Sequence, residues 1–526
     1  MTTAKTQTEW IPTINPWLTT IAVMTATFIF VLDSTIANVA LPHMAGTFSS
    51  SNEESMWILT SYIIASGIVL PSVNWFSHIF GRQSFFIACI IIFTLSSLLC
   101  GLANTMEQMI LARILQGLGG GALMPISQAI MMESFPKEKR GLAISIFGMG
   151  VVIAPIIGPV LGGFLTDTFS WRWIFFINIP FGIFSIICSK IWIEDPPYAK
   201  KQGFKKIDYV GFSFLIVWLS TLQVVLDKGN NVNWFEADWI CWLSAISIFS
   251  FIGFVYSQIT KKDAIIDLSI FKDKNFTFGT IVLVVVNAIL YASTAILPLF
   301  LQNLLGYSAF LSGYAIMPRG VGAILGVVFA GAFSNKIDER LLGAFGLLFM
   351  GIAGIMFGFL SLQISMINII IPNLLFGLGM SLSFIPLTTL SMNTLSNTQM
   401  TNASGIQSLV KNIGGAVGTS IVSTMLSRFA QMHQHSMVKH LSQLNPVFQA
   451  KVHGATMALA QYMHISVAET KSNYLMYVEL LKQSNLWAFI DTFRIFGLVA
   501  LLVIPIIFMI DKAKHDPDNE HIAVMH

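Results

Sequence analysis

Long apolar stretches, each near the ~20 residues that cross a bilayer as a helix, recur from near residue 18 to residue 510. No soluble core can absorb that much continuous apolar sequence. The composition agrees: 55% of the 526 residues are hydrophobic and only 10% are charged, against about 25% charged in a soluble chain. Mean hydropathy is +0.72. A β-barrel would show short alternating segments, and these runs are continuous. The expected class is an all-α polytopic membrane protein.

About fourteen spans are expected, near 18–41, 56–77, 84–104, 107–132, 141–165, 173–193, 208–227, 238–259, 276–303, 310–333, 342–361, 366–391, 404–427 and 487–510. An even count puts both termini on one side. Alternate connections carry Arg82; Lys137, Lys139 and Arg140; Lys200, Lys201, Lys205 and Lys206; Lys261, Lys262, Lys272 and Lys274; and Lys336 with Arg340. Lys512 and Lys514 follow the last span. Basic connections stay cytoplasmic, so both termini are expected inside. The lysines of the long external segment 428–486 do not count against this, because long segments escape the rule. The net charge of +3 says little by itself. Cys89, Cys100, Cys188 and Cys241 all fall within spans and read as small core residues. The first span reads as retained rather than cleaved.

The chain repeats itself. RILQGLGGGALMPIS from Arg113 matches NLLFGLGMSLSFIPLT from Asn373, with Gly117-Leu118-Gly119 over Gly377-Leu378-Gly379. The offset of eight spans divides the chain into a six-helix bundle over 1–193, a linker with two inserted spans over 194–275, a second six-helix bundle over 276–510, and a tail over 511–526. Repeated bundles with a site at their interface are a common transporter plan.

The stretch FIFVLDSTIANVALP (28–42) places Asp33 inside an apolar run. Arg113 lies at a matching depth in the fourth span, so the two can pair if both spans face one cavity. The alternatives are a static pair pinning two helices and a functional site, and intramembrane ionisable residues favour function. The repeat position of Arg113 is the neutral Asn373, so the charge is not needed merely to build a bundle. Gln116, Gly117 and Gly120 share one helical face with Arg113, for close packing or for a ligand. In GMGVVIAPIIGPVLGG (148–163), Gly150, Ala154, Gly158 and Gly162 repeat every four residues, a packing stripe. Pro155 and Pro159 are expected to bend that helix. Asn38, Tyr62, Asn287, Tyr291, Arg319, Asn373, Gln407 and Lys411 are polar residues within spans. Each either lines a substrate cavity or pins a helix, and partners for Arg319 and Lys411 are not assignable from sequence. His433, His435, His440, His453 and His464 lack metal-ligand spacing, so no metal site is expected. The stretch VAETKSNYLMYVELLKQSNLWAFI reads as an amphipathic helix.

LDSTIANVALP (32–42), RILQGLGGG (113–121), APIIGPVLGG (154–163), WRWIFFINIP (171–180) and LPLFLQNLLGYSAFLSGYAIMPRG (297–320) together resemble the fourteen-span drug:proton antiporters of the major facilitator superfamily, in the EmrB-like branch. The resemblance covers essentially the whole chain. It implies the major facilitator fold and export of lipophilic or amphipathic compounds across a bacterial inner membrane, driven by a proton gradient with no cofactor. It carries a proton-coupling role to Asp33 and Arg113. It carries the antiporter motif to Gly158-Pro159 and Gly162-Gly163. It also implies that the external segment docks a periplasmic adaptor leading to an outer-membrane channel; the alternative is a solvated cap. The inner-gate loop NWFSHIFGRQS (74–84) departs from the family. Gly81 and Arg82 remain, but His78 stands where an acid is expected, Ile79 where an arginine is, and Gln83 where a basic residue is common. The acid-based latch of that gate is therefore in question. His78 is either a pH-sensitive substitute or a plain interfacial histidine. A second transport reading is a dedicated exporter of one metabolite, a siderophore or organic anion, which Arg319 and Lys411 would suit. No nucleotide loop, nucleophile motif or nucleic-acid signature appears, so an enzyme is not expected.

Overall fold

The computed structural model describes residues 13–50, 52–55, 57–136, 139–195, 208–261, 266–307, 309–333, 337–395, 399–442 and 444–511. Lys137, Lys200, Lys201, Lys205, Lys206, Lys262, Lys336, Lys512 and Lys514 lie outside these residues, as do the side chains of Asn38, His78, Arg140 and Pro159. Among the described residues there is no strand.

The main helices run in chain order: α1 Pro16–Thr47, α2 Trp57–Val69, α3 Val73–Phe80, α4 Arg82–Leu102, α5 Met106–Gly120, α6 Leu123–Ser134, α7 Arg140–Thr168, α8 Asn178–Trp192, α9 Tyr209–Lys228, α10 Asp238–Thr260, α11 Lys274–Leu299, α12 Ala309–Ile316, α13 Pro318–Phe333, α14 Glu339–Phe357, α15 Ile367–Met392, α16 Met400–Val438, α17 Pro446–Ala460 and α18 Ile465–Ile507. Their starts are written in the sequence. Asn15, Thr105, Asp273 and Asp338 each accept a backbone N–H from the first turn of the following helix, which satisfies donors the helix leaves open. Pro16 occupies the first position of α1, where it needs no partner.

Helices occupy every expected span position, but the count of fourteen spans is not met by length and composition. Among the described residues eleven helices are long and apolar enough to cross a membrane, or twelve if the bent pair within α7 is one span. Two expected spans fall short for different reasons. The second is broken into α2, a 3-10 turn over Leu70–Ser72, and α3. The thirteenth, α16, carries Gln407, Ser408 and Lys411 buried among its apolar residues. The expected external segment is largely helical: α16 continues to Val438, α17 follows, and α18 begins at Ile465. This includes the stretch read as an amphipathic helix.

Large apolar side chains face outward, such as Leu95, Leu99 and Leu102 on α4 and Phe249, Ile252 and Tyr256 on α10. A soluble protein does not expose such patches, and a bilayer covers them. Cys241 corrects the expectation of a core residue, because it is exposed on α10 while the other three cysteines are buried. An α-helix with apolar residues on every face gives no sequence signal for which side meets protein.

Separate apolar cores form within residues 22–193 and within residues 282–510. A third cluster joins Leu70, Met132 and Ile144 to Leu219, Phe254, Ile385 and Ile406. It lies towards the end of the helices that carries the basic connections, here called the basic end. There α2, α6 and α7 meet α9 and α10 and also α15 and α16.

Candidate functional site

Asp33 is fully buried in α1. Its Oδ2 accepts from Arg113 Nη1 at 2.7 Å. Its Oδ1 accepts from Gln116 Nε2 at 3.0 Å and from Asn178 Nδ2 at 2.8 Å. Arg113, also fully buried, donates to Gln116 Oε1 at 2.8 Å and to the Ile58 carbonyl at 3.1 Å. Its guanidinium lies 4.1 Å from the centre of the Tyr62 ring. Three helices, α1, α5 and α8, thus converge on one carboxylate, and α2 reaches it only through Arg113. A charge in a dry interior must be paired and hydrogen-bonded, and this one is both. Gln116 donates to the acid and accepts from the cation, so it reports the charge of one to the other.

Asn178 was missed by sequence reasoning. Its signal was its place in WRWIFFINIP, where a lone amide interrupts an aromatic run. It also donates to Ser97 Oγ, which fixes it between α4 and α1.

Two glycines explain why these helices come so close. A methyl added to Gly117 would sit 2.5 Å from the Tyr62 carbonyl, and one added to Gly158 would sit 2.3 Å from Thr35 Oγ1. Gly162 meets Ile36 in the same way, and Gly150 meets the flexible end of Met24. Gly163 has only ordinary contact with Val39. The expected stripe on α7 therefore packs against α1 beside Asp33, with Ala154 in the small cluster of Val31 and Leu32. Gly120 meets Phe30, so the glycine face of α5 serves packing rather than ligand approach. Between Pro155 and Val160 α7 bends by 41°, as the two prolines imply.

The repeat is visible as matched contacts. Gly117 lies against the Tyr62 carbonyl and Ser66 N–H; Gly377 lies against the Arg319 carbonyl and Ala323 N–H. Gly119 meets α4 at Phe93, and Gly379 meets α14 at Gly346. Tyr62 and Arg319 are thus equivalent. Asn373 is the neutral counterpart of Arg113, as the repeat gave it, yet a cation stands beside it in the same layer. The cation has moved to the neighbouring helix, where Arg319 Nε donates to Asn373 Oδ1 at 3.2 Å and Nη1 to Ser293 Oγ at 3.2 Å.

The remaining expected cavity residues do not gather at one point. Gln407 donates to Ser391 Oγ at 2.9 Å. Asn287 donates to its own helix at the Leu283 carbonyl. Tyr291 is half-exposed with its ring over Gly415.

At the basic end the stretch expected to form the inner-gate loop meets acids from other elements. Arg82 pairs with Glu133 through two hydrogen bonds of 2.9 and 2.8 Å. Asp195 accepts the Gln83 N–H at 2.9 Å and so caps α4. Gly81 turns with φ of +84°, a conformation glycine adopts readily. Glu133 and Asp195 were legible only as carboxylates at the ends of apolar runs, Asp195 directly after Glu194. His433, one of the five histidines of the external segment, shares a 2.8 Å contact with Asp491 of α18.

Residues 23–419 match the family model of the Major Facilitator Superfamily. The chain belongs to that superfamily. Among its relatives is the multidrug export protein EmrB of Haemophilus influenzae, 31% identical over 96% of this chain and 97% of the relative. The probable multidrug resistance protein EmrY of Escherichia coli strain K12 is 34% identical over 82% of this chain and 85% of the relative. The crystal structure of the human organic anion transporter MFSD10 superposes with a TM-score of 0.59, covering 93% of this chain and 99% of that one. Its 12% identity speaks for the fold alone. This facilitator-superfamily chain is therefore a multi-pass membrane transport protein.

Proposed function

We propose that the protein is a proton-coupled antiporter that exports lipophilic or amphipathic compounds across the bacterial cytoplasmic membrane by alternating access, with both termini inside. The relatives named for multidrug export support the cargo class. The observation that carries the coupling is Asp33 itself, a fully buried carboxylate held by Arg113, Gln116 and Asn178.

A proton arriving at Asp33 from outside removes the charge that holds Arg113. It also removes an acceptor from Gln116. The guanidinium then lacks its counter-charge, and the contacts among α1, α2 and α5 are reweighted. Cargo bound in the inward-facing state restores the preference for ionised Asp33 and expels the proton to the cytoplasm. Exchange is enforced because proton and cargo act on one network.

The conformation described reads as one in which cytoplasmic access is shut. At the basic end Ser404 Oγ donates to the Pro125 carbonyl at 3.2 Å, and Gln128 Nε2 lies 3.6 Å from the sulfur of Met392. Both contacts cross between the halves. One proton moving down 100 mV supplies about 2.3 kcal/mol, enough for a cargo ratio near ~50 with one-for-one exchange. No cofactor is needed for this cycle. The helical projection of α16, α17 and α18 presents exposed Leu444, Val447, Tyr462 and Ile465, and we assign it to docking a periplasmic adaptor that continues to an outer-membrane channel.

Proteoliposomes with an imposed proton gradient test the reading. Wild-type protein should accumulate a lipophilic dye against its gradient, and Asp33→Asn should not, while remaining folded and inserted. Uphill transport by Asp33→Asn would dismiss the mechanism.

A further inference from the structure

The two halves treat buried cations differently. In the first half Arg113 has Asp33 at 2.7 Å and Arg82 has Glu133 at 2.8 Å. In the second half Arg319 and Lys411 are as deeply buried, at 3% and 4% exposure, and neither has a carboxylate among the described residues. Arg319 at least has Asn373, Ser293 and Thr294 as acceptors. Lys411 Nζ has no hydrogen-bond partner in the described residues; it lies 5.0 Å from the centre of the Phe384 ring.

Position makes this informative. Lys411 follows Met400, the start of α16, by about 16 Å of helix rise, near the middle of a ~30 Å hydrocarbon layer. Gln407, one turn towards the basic end, also has an unpartnered Oε1, and so does Gln128 of the opposite half. They approach adjacent residues, Ser391 and Met392, so this stretch of α16 lies on the seam between the halves. Gly415 lies one turn further on, on the same helical face as Lys411, under the half-exposed ring of Tyr291. A lone ammonium with aromatic rings on either side of it along the seam is a seat for an acidic headgroup with an apolar tail beside it. A buried charge left unpaired is costly, and an arriving anion removes that cost.

We propose that Lys411 binds the headgroup of an amphipathic organic monoanion, a carboxylate or sulfonate, and that the cargo leaves as the anion. Arg319 is not a second ligand for the same headgroup. Its partner Asn373 and the Lys411 partner Phe384 are separated by about 16 Å along α15. It adds fixed positive potential on the outward side of the path. The inference rests on the export reading above and adds a consequence. A proton entering and an anion leaving both move positive charge inward, so each cycle carries two charges rather than the one moved with neutral cargo.

The test uses the full chain in nanodiscs without a proton gradient, with octanesulfonate, octanol and octylammonium as probes of one tail and three head charges. Tryptophan fluorescence should report octanesulfonate binding at least tenfold tighter than octanol, with octylammonium weakest. Lys411→Met should abolish the sulfonate preference while leaving octanol binding unchanged, and Lys411→Arg should retain it. Equal affinities in the wild type, or a preference surviving in Lys411→Met, would overturn the proposal. In proteoliposomes the wild type should move two charges per octanesulfonate; one charge per molecule would show that the cargo does not leave as an anion. Because binding is read without a gradient, failure of proton coupling alone would leave the Lys411 site standing.

Discussion

Asp33 and Arg113 stabilise each other only as a pair. Removing one partner of a buried ion pair typically costs about 3–5 kcal/mol. Arg113→Ala should therefore lower the melting temperature in detergent more than Asp33→Asn does, since the asparagine keeps the shape and hydrogen-bonds with Gln116. The double variant should recover part of the loss; simple additivity would mean the two side chains do not share one energy term. Arg113→Lys keeps the charge but not the fork that reaches Asp33, Gln116 and the Ile58 carbonyl, so efflux should fall without vanishing. The pair was legible from depth alone, because a carboxylate and a guanidinium inside apolar runs need each other. Asn178 and Gln116 Nε2 were harder. Neutral amides carry no obligation to a particular charge, so sequence marks them as polar without naming a partner. Lys411 was legible as a problem and stayed one, since no hydrogen-bond partner for its ammonium lies among the described residues.

At the scale of elements, glycine decides how close helices come. Gly158→Val should overpack the α1–α7 contact at Thr35, at about 1–3 kcal/mol, and should abolish export. Gly163→Ala should change neither, because its added methyl meets only Val39 at 4.0 Å. Export rates and thermal unfolding of the two variants give the comparison. The stripe was readable from its four-residue period; which member touches what was not, because periodicity fixes a face and not its neighbour. The basic end of α9 and α10, opposite the turn that joins them, holds a second measurable device. Asp208 caps α9, accepting from Gly211 N–H at 2.9 Å and Ser257 Oγ at 2.7 Å, and it pairs with Lys261. Burial alone would raise its carboxyl, but these hydrogen bonds and Lys261 outweigh burial and hold it below the ordinary range. A carboxylate depressed by folding contributes stability above its unfolded value, near pH 4, and loses it as the pH falls further. Limited proteolysis near residue 208 should thus accelerate below about pH 4 in the wild type. In Asp208→Asn it should be faster at neutral pH and flatter with pH.

For the whole molecule, the inserted helix α9 touches both halves. Asp227 near its end accepts from Thr60 Oγ1 of α2 at 2.5 Å. On the other side the Leu226 carbonyl accepts from Ser420 Oγ of α16 at 2.7 Å, and Asn230 donates to Ser423 at 3.1 Å. If the halves rock, one of these attachments must break. Two engineered disulfides, Thr60→Cys with Asp227→Cys and Asn230→Cys with Ser423→Cys, should therefore differ. At least one should stop export until reductant is added, whereas undiminished export through both would exclude rocking about this helix. The eight-span offset of the repeat is what makes α9 and α10 an expected insertion. Sequence was silent on their bridging role, because hydroxyl and carbonyl contacts between distant helices leave no period. The central claim is that cargo and proton compete through Asp33. Its most direct measurement is proton release from purified protein in weakly buffered solution when ligand is added. Wild-type protein should release protons in proportion to ligand bound, and Asp33→Asn should bind ligand without release. Equal release from both proteins, or none from the wild type at saturating ligand, would contradict the account.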